Sequence, residues 1–148
     1  MEISDFNQSR LADLYSNQLF AVLGTRGARD PYLSIVAFAV TKDYKSLIFA
    51  TKRNRLKYWN LKHNPRVTLM IDDRKNKPSD FNGTTSVTII GDAEDVSGES
   101  RQKMAKLLLD RHPDLRSFVE SDDCSVVKVN VQKMYIVSDF ESVVKIEI

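Results

Sequence analysis

Five cations crowd one stretch of the chain. Lys52, Arg53, Arg55, Lys57 and Lys62 all lie within FATKRNRLKYWNLK, Phe49 to Lys62. An arginine fork can bond two oxygens of one phosphate, and a lysine adds a mobile point charge. The stretch begins as the end of an apolar strand and runs into a short helix. Its charges therefore sit at a junction where unpaired helix amides and the helix dipole already favour an anion. Arg55 and Lys57 flank the first turn of that helix and reach the same point in front of it. The apolar strand before them lets a flat group lie along it while a phosphate sits at the junction. The chemistry implied is a phosphate on a flat apolar body, a mononucleotide-like cofactor. The plain alternative is a solvated basic face, and Arg53 and Lys62 are read that way.

Other chemistry-bearing residues have simpler readings. His63 and His112 fall at predicted helix ends, where histidine commonly satisfies the last carbonyls, so no metal site is expected. Asp72, Asp73 and Asp80 read as a solvated strand end and loop rather than cation ligands. The loop Asp72–Phe81 is alternatively a lid, with Arg74 facing the ligand. Cys124 follows Asp122 and Asp123, whose charge disfavours a thiolate. As the single cysteine it excludes an internal disulfide and a multi-cysteine metal site. The glycines of GTRGAR lead into a strand and form no phosphate loop. No nucleophile-elbow context accompanies any serine, so no catalytic residue is assigned. Trp59 and Tyr58 beside the basic run raise base stacking on RNA, but Trp59, with Leu56, is read as the buried anchor of its helix.

The elements that must position the junction follow from pattern. Ser4 to Asn17 reads as a helix with Phe6, Leu11, Leu14 and Tyr15 on one face and Ser4 or Asp5 as its cap. Three apolar runs follow, Leu19–Thr25, Tyr32–Thr41 and Ser46–Thr51, split by the turn residues of RGARDP and KDYK. Their short loops predict an antiparallel meander. The second run is apolar on both faces, which suits a barrel wall covered by a helix or a second subunit. Arg55–His63 is a helix capped by Asn54 and stopped before Pro65. RVTLMID and TSVTIIGDAEDV are strands, with Gly91 at a bend or bulge. SGESRQKMAKLLLDRHP is a helix ended by Pro113, followed by a shorter one over Asp114–Val119. VVKVNVQKMYIV and SVVKIEI form a last hairpin. About seven strands with few helices, in no regular alternation, predict a mainly β, antiparallel barrel with peripheral helices.

With 148 residues the chain suits one domain, 1–148. Its net charge of +2 gives no general attraction to nucleic acid. No apolar run approaches the ~20 residues of a membrane span, and MEISDFNQSR lacks the order of a secretory signal. The expectation is a cytoplasmic protein with neither nucleic-acid nor membrane partner.

Together, these residues resemble a known family. FATKRNRLKYWNLKHNPRVTLMID is similar to the signature of the pyridoxamine phosphate oxidase-like, flavin-binding split-barrel proteins. In that signature a strand ends in Thr or Ser, a basic turn leads to Lys-x-x-Asn-Leu-x-x-Asn-Pro, and an apolar strand follows. LGTRGARDPYLSIVAF resembles the family's first hairpin, SVTIIGDAEDVSG its strand-to-helix passage and KMYIVSDFESVVKIEI its last hairpin, so the resemblance covers nearly the whole chain. It implies a split β-barrel homodimer with two flavin mononucleotide (FMN) sites at the subunit interface, acting on a small molecule. Arg55 and Lys57 would hold the phosphate. Thr51 and Lys52 would add contacts at the strand end, and Ser34, Val36 and Ala50 would lie along the ring. A deazaflavin has the same kind of phosphate handle, so a deazaflavin-dependent reductase and a non-catalytic flavin-binding or redox-sensing module are the alternatives. The chain departs from the oxidases proper in two places. VSDFESVVKIEI lacks their second basic and aromatic motif, which argues against pyridoxamine phosphate oxidation, and Leu56 stands where they place another arginine. Haem-degrading relatives use histidine as an iron ligand, and this chain offers only His63 and His112.

Overall fold

The computed structural model describes residues 4–148. Helix α1 (Asp5–Asn17) is capped as expected, the Ser4 hydroxyl accepting from the Asn7 amide at 3.3 Å. It buries Leu11, Leu14 and Tyr15. Phe6 is not on that face: it is 63% exposed and stacks under the Arg10 guanidinium instead. Eight strands follow: β1 (Phe20–Arg26), β2 (Pro31–Ala37), β3 (Ala39–Val40), β4 (Ser46–Lys52), β5 (Arg66–Asp72), β6 (Thr85–Asp95), β7 (Cys124–Ser138) and β8 (Ser142–Glu147). Helix α2 (Leu56–His63) bridges β4 and β5, while α3 (Gly98–Arg111) and α4 (Arg116–Val119) lie between β6 and β7. A 3₁₀ turn, Pro78–Asn82, interrupts the long polar loop.

All pairings are antiparallel, in the order β2-β1-β5-β6-β7-β4-β3, with β8 added to β7. The sheet curls into a barrel as the sequence predicts, but the meander breaks after its first hairpin. β1 and β2 pair from Phe20↔Ala37 to Arg26↔Pro31. β4 does not continue the ladder; it pairs along its whole length with β7. The break falls at Phe38, which is fully buried and divides the single predicted strand Tyr32–Thr41 into two. Before it the chain pairs with β1. After it, Ala39 and Val40 pair with Ile48 and Leu47 of β4. The barrel therefore closes at Phe38 and splits open toward the start of β2 and the end of β4. Along that split, β2 and the second half of β4 each keep one ladder edge without a strand partner.

Burial also differs from expectation. β4, with Leu47, Ile48 and Phe49 fully enclosed, is the strand covered on both sides. Its inward residues join the barrel core with Leu23, Leu69, Ile89 and Met134. Its outward Ile48 packs in a second cluster with Leu108, Leu109, Val119 and Val126. β2 instead leaves Leu33 and Ile35 exposed, at 68% and 72%. Its outer apolar face is uncovered in one chain. No helix of the described residues is long and apolar enough to cross a membrane.

β6 and β7 form the longest pair, and their register shifts between Ile90 and Gly91, the bulge the sequence predicts. A Cβ on Gly91 would overlap the Asn130 carbonyl oxygen and lie 2.9 Å from a Val129 methyl. Neither backbone can yield without breaking the ladder. Gly91→Ala is therefore expected to lower stability by about 3 kcal/mol, the upper end of overpacking costs, read from the urea midpoint at unchanged slope.

Candidate functional site

A cavity of about 370 Å³ occupies the split. β2 contributes Val36 and Ala37 to its wall, and β4 contributes Ala50, Thr51 and Lys52. Arg55, Leu56 and Lys57 close the end of the gap, while Leu115 and Phe118 form the opposite wall. Six residues singled out in the sequence thus line one space: Val36, Ala50, Thr51, Lys52, Arg55 and Lys57. Ser34, the seventh, is not part of the lining. It lies two residues before Val36 on the same strand face, and its Oγ is enclosed with no hydrogen-bond partner.

Each cation has a different situation. Lys52 is tied down: its ammonium pairs with Asp123 at 2.9 Å, donates to the Ser121 hydroxyl and lies over the Phe118 ring. That contact holds the Asp123 carboxyl below its usual range. Arg53 is not the solvated charge the sequence suggested. Its guanidinium donates to the carbonyls of Asp122 and Cys124 and to the Ser125 hydroxyl, clamping the turn before β7 against the end of β4. Arg55 and Lys57 remain as cations aimed at the cavity. Neither forms an ion pair among the described residues. Burial pushes the Lys57 ammonium down from the ordinary lysine value, and the like charge of Arg55 pushes it further. Among the described residues no acidic side chain lines the space. Two cations held together, with no counter-ion among the described residues, leave a positive end to the cavity that attracts an anion.

The backbone adds to this. Arg55, rather than Asn54, is the cap residue of α2, in extended conformation and with no side-chain hydrogen bond to the first turn. The leading amides of the helix are therefore not capped from within. Thr51 is buried and donates to its neighbour's carbonyl at 3.1 Å.

Helix α2 is rotated relative to the sequence reading. Leu56 and Trp59 are 54% and 58% exposed and do not fasten it. The inward residues are Tyr58, Asn60 and Leu61, and two polar anchors set the rotation. The Tyr58 hydroxyl donates to Asp95 at 2.8 Å, and Asn60 Nδ2 donates to the buried Thr25 hydroxyl at 3.1 Å. This rotation turns Lys57 into the cavity. It also explains why apolarity misled: a buried asparagine and a half-buried tyrosine outrank an exposed tryptophan because their hydrogen bonds have fixed partners.

The remaining candidates lie elsewhere. His63 Nδ1 is 2.8 Å from the Trp59 carbonyl in the last turn of its own helix, as expected; His112 departs from that reading, its Nε2 lying 2.7 Å from the Phe38 carbonyl of the barrel instead of an α3 carbonyl. Asp73 and Asp80 accept backbone amides of Thr85, Lys75 and Lys77. Arg74 does not face this cavity; it pairs with Asp72 at 3.1 Å beside a separate 170 Å³ pocket. Burial raises the Cys124 thiol, consistent with an inert core cysteine.

The family model described as pyridoxamine 5'-phosphate oxidase matches residues 8–138. The chain belongs to this family. No curated protein matches it significantly. Among solved structures, a heme binding protein from Mycobacterium smegmatis superposes with a TM-score of 0.84 at 19% identity, covering 99% of this chain and 59% of its own. HutZ, the heme storage protein from Vibrio cholerae, gives 0.74 at 14% identity, with 84% and 89% covered. A putative pyridoxamine 5'-phosphate oxidase from Listeria innocua gives 0.68 at 18%, with 88% and 98% covered. At these identities the likeness shows the split-barrel fold. The chain spans about three fifths of the length of the mycobacterial protein. The matched stretch includes Lys57–Pro65, whose lysine lines the cavity and whose Asn60 anchors the helix.

Because Lys57 is held charged against burial and a like charge, its protonation costs stability. That cost is fully present below its lowered pKa and disappears as pH rises past it toward the unfolded value. Lys57→Met should therefore raise the unfolding temperature at pH 7, and the gain should shrink as pH rises toward the ordinary lysine value of 10.5. Thermal melts of both proteins across that range check the sign.

Proposed function

We propose that the chain binds flavin mononucleotide in the split and serves as a flavin-dependent oxidoreductase on a small molecule. The observation that carries this reading is the pair Arg55 and Lys57, two cations without counter-ions among the described residues, at the end of an apolar, strand-walled cavity. These two hold the phosphate. Val36, Ala37 and Ala50 give the ring an apolar bed, and Phe118 faces it from the other side. The unpaired edges of β2 and β4 supply backbone donors and acceptors to a heterocycle's rim, and the orphaned Ser34 hydroxyl lies on the same strand. When bound, the flavin supplies the redox chemistry. The chain's residues hold the phosphate, orient the ring and keep water from one face. Lys52, engaged with Asp123, shapes the rim rather than the clamp.

Haem binding is the competing reading, because two of the similar structures are named for it. Among the described residues the cavity lining contains no histidine, cysteine or methionine, and Tyr32 is its single phenol. A lining of that kind suits a phosphorylated ring better than an iron. A deazaflavin would satisfy the same phosphate clamp.

The working unit we propose is a cytoplasmic homodimer. The exposed Leu33 and Ile35 belong to the strand that walls the cavity, so a second copy covering them would also roof the site. Light scattering should give a dimer mass, and Leu33→Asp, outside the cavity lining, should give a monomer with weakened flavin uptake.

The purified protein should take up FMN with quenching of flavin fluorescence. Arg55→Ala with Lys57→Ala should weaken FMN about 100-fold, as two charged hydrogen bonds imply, while leaving riboflavin nearly unchanged. Equal loss of both would misplace the clamp. A Soret band on adding haem, with no response to FMN or a deazaflavin, would select the haem reading.

A further inference from the structure

The rotation of α2 creates a second feature that the flavin reading does not use. On the helix's outer side, Trp59 and His63 stack with ring centroids 5.6 Å apart and planes 19° from parallel. They line a cavity of about 390 Å³ with Arg26, Gly27, Ala28, Asn60 and Asn64, a size within the roughly 300–1,000 Å³ usual for small-ligand pockets. None of these residues lines the space at the split.

Four properties define what this cavity would take. The stacked indole and imidazole form a flat π platform, and Trp59 is mostly exposed, so a third ring can continue the stack. Arg26 forms no ion pair among the described residues, and no acid lines the cavity, so an anion is favoured at its rim. Asn60 is buried, with Nδ2 committed to Thr25, which leaves Oδ1 as a fixed acceptor beside Gly27. Gly27 keeps this floor open: a Cβ there would lie 2.8 Å from the Asp30 carbonyl and 3.6 Å from Asn60 Oδ1.

We propose that this cavity binds a purine nucleotide. The base stacks on Trp59 and gives an exocyclic amine to Asn60 Oδ1, and the phosphate meets Arg26. The proposal does not rest on flavin binding, because it uses a different set of side chains.

Trp59 is the chain's single tryptophan, so its fluorescence reports the site directly. Titration with AMP should quench it saturably. Adenosine should bind at least about tenfold more weakly, as expected for loss of one charge-assisted contact, and ribose 5-phosphate should give no quenching. Arg26→Gln should abolish the preference for AMP over adenosine. Trp59→Leu, followed by equilibrium dialysis, should lose AMP binding by about tenfold or more with FMN uptake unchanged. AMP binding should persist in the Arg55→Ala, Lys57→Ala protein. Loss of AMP binding there would mean that AMP occupies the split instead, and would overturn the proposal. So would an absence of quenching, a preference unaffected by Arg26→Gln, or a concentration-dependent blue shift of Trp59 tracking dimer mass, which would assign this face to a second copy.

Discussion

The organisation of this molecule turns on one missing ladder. Between β2 and the second half of β4 there are no strand-to-strand hydrogen bonds, although the two run side by side from a common closure at Phe38. Two unpaired edges facing one another are normally a liability, since exposed strand edges recruit other chains. Here the gap is fenced. Helix α2 crosses one end, and Leu115 and Phe118 cover the opposite side. What remains is a slot with polar backbone rims, apolar walls and positive charge at one end. Each of these properties comes from declining to close the barrel.

Helix α2 converts that slot into a site because its rotation is fixed by polar groups. Tyr58 reaches Asp95, which also accepts from Ser125, and Asn60 reaches Thr25. These bonds tie the helix to β1, β6 and β7 at once. With the helix so held, Lys57 points inward against its own electrostatic preference and Trp59 points outward against its hydrophobic one. Both misfits have the same origin, and both mark surfaces with chemistry to offer.

Much of this was legible in the sequence. The strand-to-helix junction, the order of the elements, the Gly91 bulge and the cavity residues Arg55 and Lys57 followed from charge clustering, periodicity and turn residues, while Val36, Ala50, Thr51 and Lys52 came from the family resemblance. Three things did not. The division at Phe38 was hidden because a continuous apolar run carries no sign of which neighbour each half will pair with. The face of α2 was misread because apolarity was taken as the orienting force, when hydrogen-bond partners distant in sequence decide it. The role of Arg53 was missed because its acceptors are carbonyls about seventy residues away, and backbone carbonyls leave no trace in residue identity. Local patterns reveal elements and charge; long-range pairing of polar groups does not show in them.

The Arg53 clamp has a consequence for how such a protein can diversify. It fixes the turn at Asp122–Ser125 to the strand end that carries the cationic pair, so the segment before that turn is anchored at its base. The stretch from Leu115 to Phe118 above it is a separate wall of the slot, borne on short helical turns rather than on the sheet. One side of the chamber is thus architecture and the other is fitting. Replacement of the fitting can change one wall of the slot while the strand end that carries Arg55 and Lys57 stays intact, so a lineage can reshape the chamber without first losing its cationic end.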